Sequence, residues 1–284
     1  YALASEWLRR HAQDKFFLFV ETQEACFSPR HAVFDVHADD KRAQAAAQYD
    51  SGIVQADLMV GMLINELERL GIANRTILIV TSAHGLDLDG ESRLCGAAGS
   101  FGDSLRQSLL HVPLVLRAPG LLPAGRVVEE GVALMDVMPT VLELVGVEPL
   151  SALPGVSLKA LAEGRPAPQP ERLIFSEATT WGPEQKALTG PRFKLVYLPS
   201  PWSEMPASER SVRLPVPSIT QPKQWNGLPR MRLYELDSDP QESNDVADSQ
   251  PEIAKQYMQA LQELLARNRE IRGRLEAAVI QVKE

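Results

Sequence analysis

Three groups of residues carry side chains able to do chemistry. The first is Ser82-Ala83-His84-Gly85, which directly follows the apolar run 76–80. A strand ending there would present His84 at a polar turn, as a metal ligand or as an imidazole that bonds locally. A hard cation at that point needs carboxylate oxygens, and the neighbour of His84 is Ala83, whose methyl group ligates nothing. The second group lies in the polar stretch 21–41, with Cys26, His31 and His37; Cys26 opens Cys-Phe-Ser-Pro-Arg. The third is the acidic set Asp87, Asp89 and Glu91 on a glycine-containing loop. It is far short of the ligands in fixed register that an EF-hand loop supplies, so it reads as a solvated loop. Arg93, Arg106 and His111 are nitrogen-bearing side chains near enough in sequence to be recruited to such a site.

Other machinery is missing from the sequence. It has no Gly-x-Ser-x-Gly elbow, no phosphate-cradling P-loop and no His-Glu-x-x-His pair. "LGIANRT" and "GAAGSFG" contain glycines without the strand–GxGxxG–helix setting of a dinucleotide site. Two cysteines, Cys26 and Cys95, make neither a disulfide framework nor a CxxC redox pair. The net charge of −8 argues against a nucleic-acid partner, because phosphate binding needs clustered Lys and Arg. No apolar run approaches the roughly 18–20 residues of a transmembrane helix. The opening segment is amphipathic and charged, unlike a signal peptide, and it lacks Met, so processing or truncation is expected.

The elements that must position these groups follow from apolar spacing. Leu3, Trp7 and Leu8 predict a helix over 2–13, and the continuous run "FFLFV" (16–20) predicts a strand buried on both faces. Ile53, Ala56, Val60, Leu63, Leu67 and Leu70 predict a helix over 45–70, closed by Gly71. "TILIV" (76–80) and "HVPLVLRAPG" (111–120) predict strands. A helix follows within 132–146, starting near Asp136 as cap with Pro139 in its first turn. Strands alternating with helices predict βαβ crossovers and a mainly parallel sheet.

The character changes after about residue 150. "GRPAPQPE" (164–171) reads as a linker, and 172–178, 193–198 and 231–237 are strand-like without helices between them, the signature of an antiparallel sheet. Residues 199–229 read as an irregular excursion, and a helix begins near Gln250. The fold class expected is α/β: a mainly parallel sheet flanked by helices over 1–163, then a small antiparallel subdomain with a terminal helix over 164–284.

Four blocks in order resemble the C-terminal half of a sulfatase of the alkaline phosphatase superfamily. They are "DKFFLFVETQEACFSPR", the long helix and strand ending in "TSAHG", "HVPLVLRAPG" with the helix after it, and "MRLYELDSDPQESNDVAD" with the last helix. The resemblance implies sulfuric-ester hydrolysis with a divalent cation, usually calcium, held partly by a Ser-Asp-His-Gly turn. Ala83 stands at that carboxylate, which leaves His84 as the one matched metal ligand. A neutral imidazole is a poor anchor for a hard ion.

The family nucleophile is a formylglycine made in a Cys-x-Pro-x-Arg frame. "CFSPR" is one residue out of that frame and follows the wrong strand, so no formylglycine is expected at Cys26. A sulfate-contacting lysine belongs near Ala97 or Ala98, and none is there. On this match Tyr1 lies beyond the family's first Asp pair and nucleophile, so no other catalytic residue is assigned. The resemblance implies a periplasmic, extracellular or lysosomal setting.

The expectation is therefore a sulfatase-like protein related to sulfuric-ester hydrolases, impaired or inactive as this chain. The alternative is a non-catalytic structural or partner-binding module of that ancestry. A phosphoesterase relative would need the same Asp and His ligands. Either way an open, apolar sheet edge at "FFLFV" or "TILIV" predicts a cover: a partner chain, an upstream segment or self-association.

Overall fold

The computed structural model describes residues 2–22, 41–88, 104–148, 153–166, 171–179, 183–200, 204 and 228–282. The chain divides into two units, one of residues 1–101 with 108–168 and one of 102–107 with 169–284.

In the first unit, helix α1 (Ala2–His11) buries Leu8, and Ala12 follows just past its end, against Leu67, Ile72 and Ala73. Leu67 lies near the end of α2 (Lys41–Arg69). Gly71 closes α2 at φ 69°, where an L side chain would be strained. Its N–H donates to Glu68 and that of Ile72 donates to Leu67, which satisfies two otherwise orphaned carbonyls of the last turn. "FFLFV" departs from expectation. Phe16 and Leu18 pack on the α1–α2 cluster, but Phe17 and Phe19 are 85% and 75% exposed, and among the described residues the run pairs with no strand. Its alternation is that of a strand with one face covered, where continuous apolarity had predicted two.

Strands β1 (Leu78–Thr81) and β2 (Leu114–Arg117) pair antiparallel, Leu78 opposite Arg117 and Thr81 opposite Leu114. The parallel crossover expected between them is not formed. A parallel connection needs a crossover of a dozen or more residues, usually helical, and the one described helix between these strands is the four-residue α3 (Gln107–Leu110). Among the described residues every strand pair is antiparallel.

After β2, helix α4 (Val137–Leu144) starts where Pro139 requires, and Asp136 stands at its N-cap without a side-chain capping bond. Its carboxylate turns back to the Ala133 N–H (2.8 Å) and out to the Val156 N–H (2.9 Å). Thr140 Oγ1 donates to the Asp136 carbonyl and accepts from the Leu158 N–H, which leads into α5 (Lys159–Ala162). The two buried residues tie a loop to a helix start, and Gly155 makes room for it: a Cβ there would stand 2.1 Å from the Met135 carbonyl oxygen.

The second unit is a four-stranded meander, β3 (Ile174–Ala178), β4 (Gln185–Thr189), β5 (Phe193–Tyr197) and β6 (Met231–Glu235), in sequential order. Helix α6 (Pro251–Val282) begins with Pro in its first position and Glu252 in its first turn, both suited to a helix start. Leu188, Leu195, Leu233, Ala254 and Leu261 form the core between sheet and helix. β4 went unrecognised in the sequence because Gln-Lys-Ala-Leu-Thr has little β propensity; burial against α6 overrides that.

Candidate metal centre

The turn after β1 is built mainly from backbone contacts. Thr81 Oγ1 donates to the Pro113 carbonyl at 2.8 Å, joining the strand end to the residue before β2. Ser82 Oγ donates to the His84 carbonyl at 2.6 Å, the local bond that lets Ser favour tight turns. His84 Nδ1 lies 2.7 Å from the Gly85 carbonyl. A carbonyl only accepts, so Nδ1 carries the hydrogen and Nε2 is the lone-pair nitrogen of the neutral ring. Gly85 donates its N–H to Leu109 at 2.8 Å. Its side is closed by backbone: a Cβ would sit 2.0 Å from the Ser108 carbonyl oxygen. The glycine is required by close approach, not by an unusual φ.

A cation at this turn would meet an exposed imidazole and an exposed methyl. Ala83 and His84 both face solvent, whereas Asp87, four residues past Ala83, is buried. Calcium takes six to eight oxygen ligands, and no group of three or more His, Cys, Asp or Glu able to hold an ion occurs among the described residues. The donor set described at the turn does not fit calcium.

The remaining sequence candidates scatter. Arg106 is engaged elsewhere, its Nη2 donating to the Gln241 carbonyl at 2.7 Å. His111 is exposed ahead of β2. Cys26, His31, His37, Asp89, Glu91, Arg93, Cys95, Ala97 and Ala98 lie outside the described residues. Sequence reasoning passed over Lys194 and Glu242, which form a buried ion pair at 2.6 Å. Its one signal was a lysine flanked on both sides by apolar residues in "FKLVY". Among the described residues no helix is long and apolar enough to cross a membrane.

Comparison with known proteins places these elements. The Sulfatase family profile matches residues 1–147. Human arylsulfatase D is 36% identical over 136 residues, which cover 45% of this chain and 23% of the human protein. Bovine arylsulfatase K is 27% identical over 226 residues, 77% of this chain and 36% of its own length. Among solved structures, a 2-O GAG sulfatase superposes with a TM-score of 0.61 at 16% identity, covering 80% of this chain and 44% of the other. A phosphonate monoester hydrolase from Silicibacter pomeroyi does so at 0.57 and 23%, covering 79% and 41%. The chain thus spans less than half the length of each of these relatives, which fits the C-terminal half that its motifs match. With the family profile covering more than half of its residues, the chain belongs to the sulfatase family.

Proposed function

We propose that this chain is a sulfatase-like module that does not hydrolyse sulfate esters by itself. The observation that carries the reading is Ala83. At the end of the strand where the family places a metal-binding carboxylate, this chain puts an exposed methyl beside His84. His84 remains the one candidate ligand, and calcium, the ion the family implies, lacks the carboxylate oxygens it needs there. The arylsulfatase and phosphonate hydrolase relatives suggest anionic esters as the ancestral substrate class.

A second reading, that the module is a structural or partner-binding one, is favoured by a specific observation: the outward face of "FFLFV" is uncovered. The parallel remainder of an alkaline-phosphatase-like sheet, brought by an upstream segment, a partner chain or a second copy, is the complement that would cover it.

The test is calorimetric titration of the chain with calcium, run beside a 4-nitrophenyl sulfate assay, for the unmodified protein and for Ala83→Asp. We expect no stoichiometric binding and no turnover from the unmodified chain, and a gain of calcium affinity in the variant. Tight one-to-one binding by the unmodified chain would overturn the reading.

A further inference from the structure

Residues 102–107 belong to the second unit, although the chain on both sides of them belongs to the first. Three polar links hold this short piece, and an ion pair joins two of the residues that make them. Lys194 Nζ donates to the Leu105 carbonyl and pairs with Glu242 Oε1. The other oxygen of the same carboxylate accepts the Gln107 N–H at 2.5 Å, and Arg106 grips the Gln241 carbonyl. Lys194 and Glu242 have side chains 0% and 3% exposed. Glu242 holds φ at 53°, a conformation uncommon for an L residue, in a turn where Asp239 accepts from the N–H groups of Ser243 and Asn244.

Net stability does not explain such a pair, since a buried ion pair often contributes no more than apolar residues of the same volume. What an apolar pair could not do is bond the backbone of 105–107, and here both members do so. Burial pushes the Lys194 ammonium below its usual range, with Glu242 opposing that shift.

We propose that Lys194 and Glu242 are positioning residues, a latch that fixes 105–107 against the C-terminal sheet. The latch rests on contacts within the second unit alone.

Amide hydrogen exchange on the full chain tests the proposal. In the unmodified protein the Gln107 N–H should exchange as slowly as the amides linking β5 and β6, in one opening unit with them. In Lys194→Met/Glu242→Leu, an apolar pair of similar volume, Gln107 should exchange at least about tenfold faster while the β5–β6 amides keep their protection. A Gln107 amide still protected in that variant, or unprotected in the unmodified chain, would overturn the latch. Should the double variant not fold, exchange in the unmodified chain decides alone. Neither result depends on calcium or on ester hydrolysis, so the latch and the reading of the turn fail separately.

Discussion

In the second unit Leu195, Leu233 and Leu261 are fully buried between a meander and α6, whereas in the first unit Phe17, Phe19 and Val127 stand largely in solvent. The runs of the first unit are the more apolar ones, so composition does not explain the difference. Continuity does. Residues 169–284 carry a sheet and the helix that covers it, so this stretch closes a core by itself. "FFLFV" packs one side on α1 and α2, and Val115 of β2 is left exposed opposite Val80. A sheet layer with one cover is half of an α/β arrangement.

The largest effects should separate the two regions most sharply. Leu233→Ala deletes atoms from a filled core and should cost about 2–5 kcal/mol, read as a lower urea midpoint. At the turn, Gly85→Ala drives a methyl into the Ser108 carbonyl and should cost about 1–3 kcal/mol. Phe17→Ser should change stability by no more than about 0.5 kcal/mol, because its ring is already exposed. Its effect should appear as weaker self-association in sedimentation velocity. A strictly monomeric parent chain whose stability falls on Phe17→Ser would remove the contrast between the units.

Legibility followed the reach of local rules and not the division into units. α2, Gly71 and the start of α6 were readable because local rules govern them: helical spacing, a glycine past the last turn, a proline in the first position. β5 and β6 were readable as apolar runs, while β4 depended on a neighbouring sheet and helix for its apolar burial. Sheet direction was misread because alternating strand and helix patterns suggest crossovers without showing which strands pair. Asp136 looked like a helix cap from its position, yet its carboxylate bonds residues 133 and 156, the second twenty positions away. In the candidate centre, Ala83 and His84 could be placed because a turn at a strand end is a local feature. The Lys194–Glu242 pair could not, since its bonds to the backbone of Leu105 and Gln107 span 89 and 135 positions of sequence.

The smallest effect concerns another shielded carboxylate, in the first unit. Glu66 near the end of α2 is 5% exposed, but its partners Arg9 and Arg69 are 54% and 58% exposed, unlike the enclosed Lys194. Hydrogen bonds from Arg69 and Arg9 hold its carboxyl down at about 2, from an ordinary 4.5. A carboxylate whose folded value is depressed contributes stability that is whole above the unfolded value and is lost as pH falls through the folded one. The contribution of Glu66 should therefore be flat above pH 4.5, decline between 4.5 and 2, and be gone below 2. Urea midpoints of the parent and Glu66→Gln across that range measure it as a difference that closes on acidification. Because both arginines are in water, moderate salt should shrink the difference at neutral pH. A gap that persisted below pH 2, or that salt left untouched, would place Glu66 with the enclosed pair of the second unit and erase the electrostatic half of the contrast.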